Sequence, residues 1–516
     1  MKQYEMFEIE VKGEEPGQST ALAAPEAEFT LNGKKKRIKG FYAGNGIYKV
    51  RFYPQEAGEV SWEIAPVFKC QDQQIRLEGN LSGTEECLPG DGSGMVKAEG
   101  VHFAYEDGKR YLAFGTTIYA MVHQEKELVE ETFASLADSP FNKVRFCVFP
   151  KHYNYNHNEP PLFAFEKREG KFDVDRPCFA FWDMLEENIC RLERMGIQAD
   201  LILFHPYDCW GFAELSKEEC LVYLDYLLRR LSAFPNLWWS LANEYDLMEH
   251  FEKTWWEEFA EFVHESDPYG HLLSNHNCMP YWDFSNKDTT HCCIQDGCVG
   301  RVTEFQNKYK KPVVFDECCY EGNIEFPWGN ISAFEMTHRF WTAFVDGGYC
   351  THGETYLNEN DVLWWAKGGK LHGESPKRIA FLREILEELP GDLDAVPGVW
   401  DNISPEKIQE FKNAPSQKLD PVARGVMELP VERLYRFRDG QHVSQGHCQE
   451  EAYLRYFGRM CPAVGTMELP EDKKYEIEVI DIWEMTRNVI LSNVSGKIKF
   501  DLPGKEGIAV LARRIE

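Results

Sequence analysis

The chain has 516 residues, too many for one ordinary core, and that length suggests about three domains. Hydrophobic residues make up 43% and aromatic residues 14%, which excludes a disordered chain. With 85 Asp and Glu against 56 Lys and Arg, the net charge of −29 argues against nucleic acid or an anionic membrane as the main partner and favours a neutral one.

Residues 1–98 alternate short β-like runs with turn signals: EMFEIEV, AEFTLNGKKKRIKGFYAG, GIYKVRFYP and GEVSWEIAPVF. Period-two alternation broken by Gly, Pro and Asn-Gly predicts an antiparallel sandwich of roughly eight strands. LPGDGSG, at 88–94, reads as a linker. The N-terminus lacks an apolar signal segment, and no later run approaches the ~20 residues that span a bilayer. A soluble, cytoplasmic protein is expected. The 16 Cys are scattered with no C-x-x-C, so they read as reduced, buried thiols rather than a disulfide or metal framework.

From residue 99 to 391 the pattern becomes strand, then helix, repeated. Candidate strands are YLAFGTTIY (111–119), KVRFCVFP (143–150), IQADLILF (197–204), LWWSLAN (237–243), HLLSNH (271–276), TTHCCIQ (289–295), PVVFDE (312–317) and GGYCTHGE (347–354). Eight such strands alternating with helices predict an α/β fold of (β/α)8 TIM-barrel type. Predicted helices cover 181–196, with Gly196 as the stop, and 216–236, with Ser216 and Glu219 as a capping box. Further helices are expected over 255–268, 301–311, 331–348 and 375–391. Between the fifth and sixth strands only NCMPYWDFSNKD is available, and a short loop can replace the helix there.

Residues 392–516 hold a polar connecting segment to about 425, expected to wrap the barrel. Renewed β patterning follows in GVMELP, RLYRFRDG, EAYLRYFG, YEIEVIDIW, GKIKFDLPGK and IAVLARRI. That predicts a second, C-terminal β-sandwich.

The fourth strand ends in Asn243 and Glu244, and the seventh in Asp316 and Glu317. In a barrel, strand carboxyl ends carry the chemistry. Two carboxyls facing each other across a bond meet the needs of glycoside hydrolysis: a proton for the departing oxygen and a partner for an oxocarbenium-like centre. Glu244 would be general acid and later base, Glu317 the nucleophile, at about 5–5.5 Å separation if the outcome is retention. Side chains alternate along a strand, and Val313 and Phe315 share the parity of Glu317. That parity assigns Glu317 to the mouth and Asp316 outward, against the helices or turned by the loop.

Other strand ends offer partners for a hydroxyl-rich ligand: His205, Tyr207 and Asp208; His152 and Tyr153; Asn275 and His276; His352 and Glu354. Each serves a structural hydrogen bond about as readily. Glu354 could also replace a catalytic partner. Trp210, Trp282 and Trp328 are candidate stacking platforms.

An Asn-Glu pair ending strand four and a Glu ending strand seven resembles the clan A glycoside hydrolases. The whole layout also resembles a group of glycosidases with an N-terminal β-sandwich of unknown function, an apiosidase-like barrel and a C-terminal β-sandwich. The resemblance implies Glu244 as acid/base, Asn243 as the contact to the sugar 2-hydroxyl and Glu317 as nucleophile. It brings no firm substrate. One departure concerns strand six, where many clan A enzymes place a Tyr against the nucleophile; here the strand ends CCIQDG, with Gln295 and Asp296.

Two other classes compete. A metal-dependent barrel hydrolase would show H-x-H at the end of strand one, where TTIYAMVHQ offers only His123. A non-catalytic carbohydrate-binding protein would keep the aromatic rim but lose a carboxyl, and both are present. The expected partner is therefore an oligosaccharide or glycoside, with no nucleic acid, membrane, metal or organic cofactor. Oligomeric state is left open.

Overall fold

The computed structural model describes residues 1–398, 400, 403–413 and 421–515. Parts of the expected connecting segment, 399, 401–402 and 414–420, lie outside the described residues.

Eight parallel strands form the central sheet: β1 Phe114–Thr117, β2 Lys143–Cys147, β3 Gln198–Phe204, β4 Leu237–Ala242, β5 Leu272–Ser274, β6 Cys292–Gln295, β7 Val313–Glu317 and β8 Tyr349–His352. They run β5-β4-β3-β2-β1-β8-β7-β6, and a parallel bridge from His276 to Cys293 joins the two edges. The sheet is thus a nearly closed barrel, and each candidate strand supplies one member. Around it lie α1 Lys126–Ala137, α2 Phe179–Arg194, α3 Lys217–Leu231, α4 Lys253–Ser266, α5 Val302–Tyr309, α6 Ala333–Val345 and α7 Ser375–Glu387. No helix is described between β5 and β6, where a loop crosses instead. Sequence reading passed over α1, which buries Val129, Phe133 and Leu136 on one face. At α3 the capping box forms as expected: Glu219 N–H donates to Ser216 Oγ at 3.2 Å and Ser216 N–H to Glu219 Oε2 at 2.7 Å.

Charge sits inside the barrel wall. Lys143 of β2, fully buried, donates to Asp200 of β3 at 2.6 Å and to Asp316 of β7 at 2.7 Å, while Thr351 of β8 donates to Asp316 at 2.7 Å. The ammonium and its neighbour Arg145 hold the Asp316 carboxyl well below the usual carboxylate range against the opposing effect of burial. Asp316 therefore points inward, and the parity argument that sent it outward is corrected. Phe315 is the outward residue, meeting Phe305 of α5 with centroids 6.4 Å apart. The cause is a bulge. Ile294 pairs with Phe315, but the next residue, Gln295, pairs with Glu317, leaving Asp316 as the extra residue. Alternation is broken there, so Asp316 and the following Glu317 both serve the barrel interior and its mouth.

Nine strands between Phe7 and Cys87 form antiparallel sheets of five and four strands, which is the expected N-terminal sandwich. Its joint to the barrel is ionic. Arg51, 5% exposed, makes a bidentate pair with Glu186 of α2 at 2.7 and 2.9 Å and donates to the Arg230 carbonyl at 2.7 Å. A hairpin, Val96–Glu99 with His102–Tyr105, then brings Phe103 against Trp238 of β4 and Tyr349 of β8, at 4.9 and 5.0 Å between centroids. It plugs the amino-terminal end of the barrel.

The C-terminal region carries a six-stranded antiparallel sheet, built on Ala452–Tyr456, Ile508–Arg514 and Tyr475–Asp481, and a separate two-stranded ribbon, Val464–Leu469 with Gly496–Asp501. Two of the expected strands are corrected. GVMELP begins inside a helix, Pro421–Met427, and RLYRFRDG lies within another, Val431–Gln441. Their apolar residues pack at helical spacing, with Leu434 and Phe437 meeting Val426 and Ile408. No helix among the described residues is long and apolar enough to cross a membrane.

Removing the Lys143 ammonium would leave two buried carboxylates facing each other. Lys143→Met is expected to cost about 3–5 kcal/mol of folding stability, read by urea denaturation. A change under about 1 kcal/mol would show that the charge cluster does not hold the barrel.

Candidate active site

The carboxyl ends of the strands gather a set of buried polar side chains. Glu317, 8% exposed, accepts a hydrogen bond from the Tyr119 hydroxyl, and its Oε1 lies 3.6 Å from the Arg145 guanidinium. Tyr119 follows β1, and its hydroxyl lies 3.4 Å from that of Tyr320, just beyond β7. The tyrosine expected near strand six is thus replaced by one that follows strand one. Arg145, fully buried on β2, also donates to Asn243 Oδ1 at 3.0 Å, so one guanidinium spans the ends of β4 and β7.

Glu244, 6% exposed, accepts from the Tyr207 hydroxyl. Its backbone is left-handed, with φ 58°, a conformation uncommon outside glycine. His276 connects the two acids. Its Nδ1 accepts from Glu244 N–H at 3.4 Å, and its Nε2 lies 3.8 Å from Glu317 Oε1. Gln295, with its amide turned to donate, reaches Glu244 Oε1 at 3.2 Å. The residue standing where a tyrosine was expected thus touches the other acid.

Electrostatics couple the pair. Burial, with the Glu244 charge adding to it, pushes the Glu317 carboxyl above its ordinary range, while Arg145, Lys151 and the Tyr119 hydroxyl pull it down. Lys151 is 2% exposed and sits in an aromatic cage, its Nζ 3.4 Å from the ring centre of Tyr119, 4.3 Å from Tyr207 and 4.8 Å from Tyr153. Burial lowers its pKa, partly countered by Glu244 and Glu317. Trp365 closes the cage, its ring 5.0 Å from Tyr153, 5.6 Å from Tyr320 and 5.1 Å from Trp328. Buried polar atoms here that lack protein partners include Asn243 Nδ2, Tyr153 Oη and Trp365 Nε1, groups that a hydroxyl-rich ligand would satisfy.

The structure brings together Glu244, Glu317, Asn243, Tyr207, His276 and Tyr153 from the candidate list. Asn275 is buried beside them, its Oδ1 accepting from His276 N–H at 3.1 Å. His152 is half-buried on the rim, edge-on to Trp210. Others are placed elsewhere. Asp208 accepts three backbone N–H bonds, from Trp210, Gly211 and Ala213, and so builds its own turn. His205 and His123 are enclosed, bonded to the carbonyls of Phe149 and Cys147, and burial pushes each ring down to about 3. Trp282, 6% exposed, packs edge-on to Tyr245 and offers no open face. His352 and Glu354 lie behind the wall: His352 bonds Thr116 and stacks on Phe141, and Glu354 accepts from His372 and Gly373 N–H ahead of α7. Their expected place on the sugar-facing rim is therefore corrected, because β8 turns His352 outward while Thr351 takes the inward position.

Sequence reading missed Tyr119, Arg145, Lys151, Tyr320 and Trp365. For Arg145 a signal existed: Lys143 and Arg145 are charges two apart in an otherwise apolar buried strand, so both face inward.

A family model described as apiosidase-like, catalytic domain, matches residues 97–391. Models for two domains of unknown function match residues 1–66 and 441–513. A crystal structure from Bacteroides vulgatus, described as a candidate glycoside hydrolase, is 31% identical, with TM-score 0.83 over 100% of this chain and 99% of that one. A glycoside hydrolase family 5 structure from the same organism is 14% identical, with TM-score 0.59 over 81% and 93%; this second likeness concerns the fold alone. Among curated proteins nothing matches.

Tyr119→Phe removes a donor that favours the charged form of Glu317, so its carboxyl should titrate at higher pH. Carbon-13 titration of glutamate-labelled protein reads this; an unchanged or lower value would show that the Tyr119 hydroxyl does not hold the carboxylate.

Proposed function

Because the chain belongs to the family of apiosidase-like catalytic domains and is a glycosidase, we propose that it hydrolyses a glycoside with retention, Glu317 acting as nucleophile and Glu244 as general acid, then base. The observation that carries this reading is the shared mouth. Two acids 73 positions apart in the sequence meet around one imidazole, that of His276, and are charge-coupled.

A retaining pair needs one carboxyl charged and the other protonated. The upward push on Glu317 from Glu244 exists only while Glu244 is itself charged, because it is a repulsion between anions. Arg145, Lys151 and the Tyr119 hydroxyl all favour charge on Glu317, which supports its role as the charged partner. The protonated Glu244 gives its proton to the departing oxygen while Glu317 attacks the anomeric carbon. Glu244, now charged, takes a proton from water, which displaces the glycosyl group and regenerates Glu317. The unpartnered Nδ2 of Asn243 suits a hydrogen bond to the sugar 2-hydroxyl. The catalytic unit is taken to span 99–391, with the N-terminal sandwich as a support or a carbohydrate-binding accessory, and no metal or organic cofactor enters these steps.

Glu317→Ala should lower kcat/KM on an aryl glycoside by about 10³-fold or more with the fold intact by circular dichroism; near-wild-type turnover would refute the nucleophile. Glu244→Gln should spare substrates with good leaving groups and penalise poor ones, a difference of about 10²-fold. The kcat/KM profile should be bell-shaped. Activity is lost on the acid side as Glu317 takes up a proton, and on the basic side as the pair loses its last proton, a limb moved upward because burial and the repulsion between the two anions oppose the doubly charged state. A kcat/KM that stays flat across the whole pH range in which the protein is folded would contradict the paired-carboxyl mechanism.

A further inference from the structure

Beyond β7 and β8 the chain forms a short parallel ladder in which Glu321 and Glu354 are direct cross-strand partners. They are 0% and 1% exposed, and like charges opposed in this way repel. Their hydrogen-bond donors are neutral: His372 and Gly373 N–H for Glu354, and Glu374 N–H, Ser375 N–H and the Tyr356 hydroxyl for Glu321. Among the described residues no Lys or Arg pairs with either acid. Two buried acids opposed in this way can be balanced by a bound cation.

His352 faces this pair. The residue is 0% exposed, its ring is held against Phe141 at 4.7 Å between centroids, and Nδ1 lies 3.1 Å from Thr116 Oγ1. Trp364 Nε1 also donates to that hydroxyl, at 2.9 Å. Nε2 is buried without a partner. A ring nitrogen of His352 and one oxygen from each carboxylate all lie within 4.8 Å of one another, and with Nδ1 engaged by Thr116 the free nitrogen is Nε2.

We propose that Glu321, His352 and Glu354 form a site for one divalent transition-metal cation, of the Zn2+ or Mn2+ kind, on the outer side of the barrel wall. An imidazole with two carboxylates suits these ions, whereas Ca2+ and Mg2+ favour all-oxygen sets. Nδ1–H donating to Thr116 leaves the Nε2 lone pair for the metal, and the N–H groups ahead of α7 orient the carboxylates, as supporting hydrogen bonds do in metal sites. The cation balances both acids. Its role is structural. It ties the segments after β7 and β8 to the start of α7, and Tyr320, next to Glu321, reaches the Tyr119 hydroxyl at the mouth. The proposal stands apart from the reaction assigned to Glu244 and Glu317.

The full chain, stripped with EDTA and desalted, is titrated separately with ZnCl2, MnCl2 and CaCl2, reading bound metal by mass spectrometry and Tm by calorimetry. About one Zn2+ or Mn2+ per chain and a Tm rise of about 2 °C or more at saturation are expected. Mn2+ is included because exposed cysteines compete for Zn2+. His352→Gln should weaken binding by at least about tenfold. Absence of both binding and a Tm rise with Zn2+ and Mn2+ in the wild type overturns the site, as does a response to Ca2+ alone or undiminished binding by folded His352→Gln. Should that variant not fold, the wild-type titration decides.

Discussion

The structure depends on one buried ammonium. Lys143 stands inside the barrel wall between Asp200 and Asp316 and joins strands β2, β3 and β7 where a barrel more commonly has apolar layers. A buried charge cluster of this kind is weak evidence for net stability, because desolvation offsets much of the attraction. Its value lies in register. Asp316 is the extra residue of a bulge, and with its carboxylate anchored on Lys143 and Thr351 the next side chain, Glu317, has one place to go: up, into the mouth, toward Tyr119 and Arg145.

Arg145 repeats the device one layer higher. Two residues after Lys143 and on the same face of β2, it meets Asn243 and Glu317. The inward face of one strand thus carries the positive charge for both layers, the lower holding the wall together and the upper meeting the carboxylate proposed as nucleophile. Around the upper layer the cage of Tyr119, Tyr153, Tyr207 and Trp365 encloses Lys151 and limits water, which strengthens each charge interaction in the mouth. The strained backbone of Glu244 fits the same pattern, since left-handed non-glycine residues gather where function requires a fixed direction.

The flanking domains meet the barrel differently at its two ends of the chain. The N-terminal sandwich is clamped by the bidentate Arg51–Glu186 pair and followed by the hairpin whose Phe103 seals the barrel floor. The C-terminal sheet leans on α6, where Tyr456 meets His338 at 2.9 Å and Trp341 at 5.5 Å between centroids.

The eight strands, six of the seven surrounding helices, the sandwich before them and the two mouth glutamates were legible from residue order, because hydrophobic periodicity and strand-end polarity are local properties. Local pattern misled at RLYRFRDG, where alternation and helical spacing coincide over a few residues and packing on Val426 and Ile408 chose the helix. Only the tertiary structure placed Asp316 inward, because a bulge is a mismatch between two strands and one strand's parity cannot contain it. It also sent His352 and Glu354 behind the wall and supplied Glu317 with a tyrosine that follows the first strand, about two hundred residues earlier in the chain. Which side chains complete a site depends on closure of the sheet, and closure brings together residues that share no pattern along the chain.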